Sequence, residues 1–594
     1  MSQALRVESK SCEAPALERR RRAEGRPSRR ARRAAGLVAS VLLASALAFH
    51  SLDVRALFSP AEARYALIAR EMVESGDWIQ PRLNHVRYYE KPPLFYWAVA
   101  VADRVLGINE LSARLPSAAA YVGTTAVTYL IALELLGSGA ALLAAIIYCT
   151  SVGPFLFGRF VFTDTLFVFS LSLSLLGLVR LTRGRAPSRS AALFYGAASL
   201  ATLTKGLVGL VFPAATTGAW WLFYGERRSL RRLRPIFGVL VTGVLVLPWH
   251  VCLAVRDPSF LYFYIVNEHI RRFLNTRDPI DYAPLSVLAF SLATLLWLAP
   301  WSLFLAGAVT DAIGNRRRRF AIPLLWSATV LVFFALNASR LEYYALPAFP
   351  ALAVLLAGYW QRSFHRPRAA TGLWIPLALL IPAVLLGVVA VVWWGGATAV
   401  LTELVANLDG FYREYFLTHS GASFPLVTES ARLAQPFIVI ILTTAAASLL
   451  LLTLDRARTA FVVWAIACLP LLGLVDLGMR VAASDRSERD FARIVSGSWR
   501  PGAHLVVAGD YEDYCGVSYY TGLPTEILGK PQADLLFGYR QGDARAEFLD
   551  DDEFQREWHS SARVFVVCDR RFEMPGAVVL AEGARERLIS NRGS

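Results

Sequence analysis

Long apolar stretches alternate with short polar segments along most of the chain. Thirteen of the stretches are near or above the length that a helix needs to cross a membrane. They lie at residues 36–52, 113–136, 139–157, 163–181, 190–204, 206–224, 235–254, 284–308, 320–337, 343–360, 372–393, 434–454 and 459–477. This pattern predicts a polytopic α-helical membrane protein with about 13 transmembrane helices.

The pattern changes after residue 477. The segments AHLVVAGD, ARVFVVCD and AVVLAEG are short apolar runs typical of buried strands, and the residues between them are polar with some helical periodicity. We therefore expect a small C-terminal α/β domain at residues 478–594. A transmembrane domain at 36–477 and a basic tail at 1–35 precede it.

Composition supports a membrane location and argues against nucleic-acid binding. Of the 594 residues, 55% are hydrophobic and 18% are charged, which is more apolar surface than a soluble chain of this size can bury. The net charge of +15 comes from arginines that fall in bursts between apolar stretches and do not spread over one face. The largest burst, ERRRRAEGRPSRRARRAAG, precedes the first stretch and is typical of an uncleaved signal anchor.

The arginine bursts also predict the orientation. If the N-terminus is cytoplasmic, every dense cluster between spans falls on the cytoplasmic side, as positive charges in such loops do. The first long loop, 53–112, and the C-terminal domain then face the periplasm. This orientation requires that residues 190–224 form two spans. If they formed a single span, every later loop would lie on the opposite side of the membrane. The clusters are Arg183, Arg185 and Arg189; Arg227, Arg228, Arg231, Arg232 and Arg234; Arg316 to Arg319; Arg362, Arg366 and Arg368; and Arg456 and Arg458.

The loop at 53–112 is unusually rich in charge for this chain. Apolar residues recur at helical spacing around residues 66–73, and PPLFYWAVAVADRVLG shows a second such pattern after a proline break. Both patterns predict short amphipathic helices that lie at the membrane surface.

Several ionisable residues gather at the same predicted membrane boundary. Such groups are costly at membrane depth and often mark a functional site. Interfacial anchoring is the alternative for Lys205 and Arg340, and Glu268 is spaced to pair with an arginine along one helix. The set comprises Glu62, Glu90 and Lys91 in the first loop, Asp164 at the start of the fourth span, Lys205 between two spans, Glu268, His269, Arg271 and Arg272 after the seventh, and Arg340 and Glu342 before the tenth.

This mixture of acids and bases suits a reaction that handles phosphate on a lipid. The cations Lys91, Lys205, Arg272 and Arg340 are of the type that holds a phosphate. Asp164 and Glu62 are candidate catalytic residues, as a general base or as a stabiliser of a cationic sugar centre. Glu90 and His269 are candidate ligands of a divalent metal.

The motifs EARYALIAREMVESGDWIQPRL, VRYYEKPPLFYW, RFVFTDTLF, LTKG, LPWHVCLAVRDPSFLYFYIVNEHIRRF and WLAPW, spread over about residues 55–350, resemble those of a known family. They closely resemble the bacterial aminoarabinose transferases, which are membrane glycosyltransferases of the GT-C class related to protein O-mannosyltransferases. That resemblance implies thirteen spans, a periplasmic α/β domain and a multi-pass location in the bacterial inner membrane.

The resemblance also implies a reaction. A monomeric enzyme would transfer a sugar, aminoarabinose or a related one, from a polyprenyl (undecaprenyl) phosphate donor to lipid A or another acceptor at the periplasmic face. By motif, Lys91 and Lys205 would contact phosphate, Arg272 would help to hold it, and Tyr88, Arg340 and Tyr344 would line the substrate site. Asp164 matches a carboxylate of the family, and Glu90 with His269 match metal-binding positions for zinc, magnesium or manganese.

One position departs from the family. Relatives usually have Asp-Glu where this chain has Ala61–Glu62, and that aspartate is the base expected of the family. Three explanations stay open: Glu62 takes the role, Asp164 takes it, or an anionic phosphate acceptor needs no base. A protein O-mannosyltransferase is the alternative enzyme, although a hydroxyl acceptor does need a base. A lipid transporter is the alternative from another class, which predicts charges along a path through the bilayer.

Overall fold

The computed structural model describes residues 28–224, 232–279, 285–314, 318–365, 367–393, 425–484, 486–531, 534–543, 547–583 and 586–593. Several features discussed above lie outside the described residues. They are most of the basic tail, Arg227, Arg228, Arg231, Arg316, Arg317 and Arg366.

Helices dominate the chain up to residue 484. In chain order they are α1 (Arg29–Phe49), α2 (Ala63–Ser75), α3 (Leu94–Leu106), α4 (Glu110–Leu136), α5 (Ser138–Cys149), α6 (Val152–Phe157), α7 (Thr163–Thr182), α8 (Pro187–Lys205), α9 (Val208–Tyr224), α10 (Pro235–Arg256), α11 (Ser259–Leu261), a π-helix (Tyr262–Arg271), α12 (Val287–Trp297), a 3₁₀ helix (Trp301–Phe304), α13 (Leu305–Gly314), α14 (Arg318–Leu336), a second 3₁₀ helix (Leu346–Ala348), α15 (Phe349–Ser363), α16 (Pro367–Trp393), α17 (Pro425–Thr453) and α18 (Ala457–Ser484).

Each of the thirteen predicted spans coincides with one or more of these helices. In the part of the chain that the structure describes, eight helices are long and apolar enough to cross a membrane, and the pair α12 and 301–314, bent by 107°, brings the number to nine. Helices α5, α9 and α15 are shorter, at 12, 17 and 15 residues. The prediction of a multi-pass helical membrane protein is confirmed, whereas the count of thirteen stays a prediction.

The helical domain has an apolar core and an apolar exterior. Trp301, Trp326, Trp360 and Trp464 are fully buried in one continuous apolar core. By contrast, α10 exposes large side chains such as Val239 along its outer surface. An apolar exterior around a packed core is expected where lipid is the solvent.

The loop between α1 and α4 is a folded layer, as the sequence predicts. Both predicted amphipathic helices are present, as α2 and α3. Between them lies a small antiparallel hairpin of β1 (Arg82–Leu83) and β2 (Val86–Arg87). The hairpin turn is held by the Glu71 side chain, which accepts hydrogen bonds from the backbone N–H groups of Asn84 (2.6 Å) and His85 (3.1 Å).

The C-terminal domain begins after α18, which continues past the predicted boundary at residue 477. Its elements are α19 (Arg489–Ser498), β3 (His504–Ala508), α20 (Tyr511–Tyr514), α21 (Gly516–Thr521), β4 (Glu526–Leu528), α22 (Leu535–Arg540), β5 (Phe548–Leu549), α23 (Asp551–Trp558), β6 (Val564–Asp569), β7 (Val578–Glu582) and β8 (Glu586–Ser590). The sheet has the order β5-β4-β3-β6-β8-β7, in which the first four strands are parallel and β8 pairs antiparallel with β6 and β7.

The two faces of this sheet have different neighbours. Alternate strand residues such as Leu505 and Val507 belong to one apolar cluster with Tyr65, Leu83 and other residues of the loop layer. The opposite residues pack under α23 in a separate cluster. Because the loop layer and the domain share a core, we describe the side of the helical domain that carries both as the capped face.

Candidate active site

A small cavity of about 90 Å³ lies beneath the capped face, where the helices meet the loop layer. Its lining combines charged and aromatic residues. The lining residues are Glu90, Lys91, Lys205, Val208, Glu268, His269, Arg272, Phe273, Phe333, Phe334, Asn337 and Tyr344. Six of the ten predicted site residues are in this set: Glu90, Lys91, Lys205, His269, Arg272 and Tyr344.

Asp164 and Lys205 form a buried ion pair beside the cavity. Asp164 lies in the first turn of α7 and Lys205 is the last residue of α8. These antiparallel neighbours therefore place a carboxylate at a helix N-terminus next to an ammonium at a helix C-terminus, and both positions are favoured by the helix dipoles. The Lys205 ammonium also lies 4.5 Å from the centre of the Tyr344 ring, where a cation is attracted to the aromatic face.

Glu90 is the centre of a second charged group. Its carboxylate lies 2.5 Å from the Lys91 ammonium and 3.1 Å from the Arg272 guanidinium, and it accepts a hydrogen bond of 2.8 Å from the Tyr88 hydroxyl. Arg272 in turn contacts Glu268, four residues earlier, at 2.6 Å. Burial alone would raise the pKa of Glu90, but Lys91 and the neighbouring arginines hold it well below its usual range. Glu90 is therefore a permanent anion that positions two cavity cations.

His269 is fixed by backbone contacts on both ring nitrogens. Its Nδ1 lies 2.6 Å from the Tyr264 carbonyl and its Nε2 accepts the Leu207 N–H at 3.0 Å. Burial lowers the pKa of His269, which agrees with a neutral ring. The contact between His269 and the Leu207 N–H depends on Gly206, because the Cβ of any other residue at this position would lie 2.2 Å from Nε2. The φ of +87° at Gly206 also favours glycine. The glycine of the TKG motif thus lets the imidazole approach the end of α8.

Lysine is rare in this chain, which makes its presence here informative. The 594 residues include only four lysines, Lys10, Lys91, Lys205 and Lys530, and two of them line the cavity. Lysine is a compact point charge, whereas arginine is a wide planar fork, so a narrow pocket for an anion favours lysine. With Arg272, the cavity presents three cations to a bound group.

The C-terminal domain contributes residues next to the cavity that the sequence-based prediction missed. The Asp534 carboxylate lies 2.9 Å from the Tyr88 hydroxyl, whose single proton it shares with Glu90, and it forms an ion pair with Arg277, which also pairs with Glu268. A further buried ion pair joins Arg64 of α2 to Glu512 of the domain. The domain therefore holds the loop layer and the cavity wall in place.

Four predicted site residues lie outside the set that lines the cavity: Glu62, Arg340, Asp164 and Tyr88. Glu62 is fully buried, and its carboxylate accepts hydrogen bonds from Arg55 at 2.6 Å and Arg114 at 2.8 Å and from the backbone of Phe58 and Val161. Burial raises its pKa, yet the two arginines outweigh that effect and lower it to about 2. This geometry favours an anchoring role over a proton-accepting one, because all of its hydrogen-bonding directions face groups of the protein.

Arg340 is the second of these residues. Its guanidinium donates to the backbone carbonyls of Leu285 (2.8 Å), Ala335 (3.1 Å) and Asn337 (2.7 Å), so it closes the end of α14 onto the segment before α12. Asp164 and Tyr88 are the other two, and the side chain of each contacts the side chain of a lining residue, Lys205 and Glu90 respectively.

Glu90 and His269 already make contacts that compete with binding a metal ion. Both line the cavity, but Glu90 is already shared by two cations and His269 Nε2 is occupied by the Leu207 N–H. Binding zinc, magnesium or manganese between them would require those contacts to break. The divalent metal therefore stays a prediction.

Fold and site define a multi-pass membrane protein with a buried, cation-rich cavity under an α/β cap. Residues 34–264 match the model of the dolichyl-phosphate-mannose-protein mannosyltransferase family. The chain is similar to the undecaprenyl phosphate-alpha-4-amino-4-deoxy-L-arabinose arabinosyl transferases of Erwinia tasmaniensis (31% identity) and Aeromonas salmonicida (30% identity). Each match covers 52% of this chain and 56% of the relative, so the chain spans little more than half the length of either relative.

The structural match is more extensive. ArnT from Cupriavidus metallidurans bound to undecaprenyl phosphate covers 94% of this chain and 98% of its own, with a TM-score of 0.77 and 24% identity. The apo form of the same protein gives 0.76 over 93% of this chain. The chain thus has the fold of ArnT over 94% of its length, and about half of it is similar in sequence to the transferases named above.

Proposed function

We propose that the protein is a glycosyltransferase that moves a sugar from a polyprenyl phosphate donor to an acceptor at the periplasmic face of the bacterial inner membrane. The sugar is aminoarabinose or a related one, and the acceptor is lipid A or another envelope lipid or glycan. The observation that carries the proposal is the cavity itself, in which Lys91, Lys205 and Arg272 converge next to the buried carboxylate of Asp164.

A phosphate donor suits this arrangement of charges. Lys91, Lys205 and Arg272 each pair with a carboxylate, of Glu90, Asp164 and Glu268 respectively, so the donor phosphate would take over contacts that these carboxylates now make. The apolar helices around the cavity are suited to a polyprenyl chain. The similarity to transferases named for undecaprenyl phosphate, and to a structure bound to that lipid, supports the same donor class here.

The reaction proposed is a single displacement with inversion. An acceptor oxygen forms a bond to the anomeric carbon of the sugar as the bond from that carbon to the donor phosphate oxygen breaks. The bonding electrons leave with the polyprenyl phosphate, whose growing negative charge is stabilised by Lys91, Lys205 and Arg272. Preorganised cations act most strongly in a buried site that excludes water.

The nature of the acceptor decides whether a base is needed. A phosphate acceptor is already anionic near neutral pH and loses no proton in the step. A hydroxyl acceptor needs a proton acceptor, and Asp164 is better placed for that role than Glu62, whose oxygens are held by Arg55 and Arg114. A phosphate acceptor is thus the simpler partner for a chain with Ala61 in place of the family's aspartate.

A protein O-mannosyltransferase is the second candidate, because the family model that matches residues 34–264 carries that description. It requires a hydroxyl acceptor and so depends on Asp164 as the base. A lipid transporter is less well supported, since the lining residues gather at one end of the helices.

Mass spectrometry of lipid A and of envelope proteins, from cells with and without the gene, tests the proposal. A pentose-type amine on lipid A that disappears with the gene supports it, and a hexose on Ser or Thr supports the mannosyltransferase instead. Unchanged lipid A, glycans and proteins would contradict both.

The periplasmic placement has its own test. In a variant without the native cysteines, a cysteine at the exposed position of Glu74 should react with a membrane-impermeant maleimide once the outer membrane is permeable. Protection of that thiol until the inner membrane is broken would contradict the proposed orientation.

A further inference from the structure

A second cluster of metal-ligating side chains lies in the C-terminal domain, apart from the cavity. It consists of His504, Glu526 and Glu557, whose ligand atoms all lie within 4.8 Å of one another. The His504 Nδ1 is 3.1 Å from the nearer Glu526 oxygen and 3.6 Å from a Glu557 oxygen. The side chains are 31%, 23% and 23% exposed, so the cluster is partly buried and still reachable from water.

Sheet geometry explains why these residues meet. His504 begins β3 and Glu526 begins β4, and the register pairs Glu526 with Val506. Side chains at i and i+2 of a strand share a face, so His504, Val506 and Glu526 all point to the face that α23 covers. Glu557 is three residues after Phe554, which packs in the cluster under α23, so it lies on the inner side of that helix.

Charge makes the arrangement unfavourable without a cation. Glu526 and Glu557 bring two carboxylates towards one imidazole nitrogen. Among the described side chains, the Glu557 oxygen nearest His504 is buried and has no hydrogen-bond partner. The side chain of Arg563, whose carbonyl accepts the His504 N–H, stacks over Phe565 on the opposite face of the sheet and does not compensate them.

The distances match a coordination shell. Ligand bonds of about 2.1 Å in a tetrahedral zinc site put neighbouring ligand atoms about 3.4 Å apart. The 3.1 Å and 3.6 Å separations around His504 bracket that value. An imidazole with two carboxylates is a donor set for a zinc-type ion, whereas calcium and magnesium prefer oxygen alone.

We propose that His504, Glu526 and Glu557 form a divalent-metal site for a zinc-type ion, which ties β3, β4 and α23 together. Three protein ligands leave a fourth position for water. The ion neutralises the two carboxylates and stabilises the domain at the sheet edge where β3 and β4 begin. This site is independent of the sugar-transfer proposal, because none of its residues lines the cavity.

Zinc binding to the full-length protein in detergent tests the proposal. The protein is stripped with a chelator, and zinc is then titrated against a chromophoric competitor, with metal content measured by mass spectrometry. We expect Glu557→Gln and His504→Gln each to bind one zinc fewer than the wild type, or to bind it at least about 100-fold more weakly. Comparison between variants is needed because Glu90 and His269 are themselves predicted ligands.

Matched controls are available in the same domain. His559→Gln and Glu573→Gln change exposed residues outside the cluster and should leave zinc binding unchanged. Zinc should also raise the melting temperature of the stripped wild type by more than it raises that of Glu557→Gln. The milder Glu557→Asp, which retracts the carboxylate by one methylene, replaces Glu557→Gln if the latter does not fold. Equal zinc stoichiometry and affinity in the wild type and the cluster variants would overturn the proposal.

Discussion

A substitution of Glu62 can distinguish a structural role of this residue from a catalytic one. The substitution Glu62→Gln keeps the shape of the side chain but removes its charge. It leaves the guanidinium groups of Arg55 and Arg114, whose side chains are 7% and 1% exposed, without their counter-charge. A buried cation without a partner is strongly destabilising, so we expect Glu62→Gln to lose stability before it loses any chemical step.

The magnitude follows from two independent arguments. Breaking a buried ion pair by removing one partner costs about 3–5 kcal/mol. The shift of the Glu62 pKa from its ordinary value of 4.5 to about 2 corresponds to about 3 kcal/mol of stabilisation of the charged form. A carboxylate with a depressed pKa stabilises the fold above its unfolded pKa and loses that contribution only as the pH falls towards 2. The effect should therefore be complete at neutral pH.

The assay is thermal unfolding in detergent at pH 7, together with transfer activity in the cold. Glu74→Gln is the matched control, because Glu74 forms an exposed ion pair with Arg70 near the end of the same helix and should cost less than about 1 kcal/mol. We expect a clearly lower melting temperature for Glu62→Gln only. A variant with wild-type stability and intact donor binding but no turnover would refute the anchoring role and identify Glu62 as the base.

Three further substitutions test the rest of the account. Asp164→Asn should bind the donor normally. It should transfer sugar about 10²–10⁴-fold more slowly if the acceptor is a hydroxyl, and it should retain most activity if the acceptor is a phosphate. Loss of donor binding would contradict the role assigned to Asp164. Asp534→Asn weakens the contacts to Tyr88 and Arg277 and should lower the rate of sugar transfer about tenfold. Asp569→Asn, elsewhere in the same domain, should leave that rate unchanged. Equal activities of the two variants would mean that the domain does not shape the cavity. Burial raises the pKa of Glu71 to about 7 despite two backbone hydrogen bonds, so its protonated form favours folding below pH 4.5 and that contribution is lost as the pH rises through 7. The melting temperature of the wild type should therefore fall relative to that of Glu71→Gln between pH 5 and pH 8, and parallel curves would contradict this.

The sequence predicts those elements of the fold whose own residues form a recognisable apolar pattern. Apolar stretches predict the helices, and the loop helices α2 and α3 follow from periodicity alone. Three of the strands were recognisable as apolar runs, β3, β6 and β7, but the prediction that all three are buried is wrong for β7, which lies exposed at the edge of the sheet. The strands β4 and β8 were missed because EIL and ERLIS mix apolar and charged residues, and such short strands are fixed by their neighbours in the sheet.

The site was predictable only in part, because its assembly depends on contacts distant in sequence. The charged motifs around Lys91, Lys205 and Arg272 were visible as ionisable groups at a membrane boundary. Asp534, which contacts Tyr88 and Arg277 next to the cavity, was not visible, since it lies in a soluble-looking domain 446 residues after Tyr88. Arg340 was predicted as a substrate-binding residue, but its guanidinium donates to backbone carbonyls. Sequence alone cannot distinguish an arginine that binds a ligand from one that caps the end of a helix.

Binding of undecaprenyl phosphate to the purified protein tests the central claim most directly. The account predicts that Lys91→Ala and Lys205→Ala each weaken binding about tenfold or more, because each removes a charge-assisted contact worth about 1.5–3 kcal/mol. Lys530→Ala, which changes an exposed lysine of the C-terminal domain, should bind like the wild type. Equal affinity in all four proteins would contradict the claim that this cavity holds the phosphate of the donor.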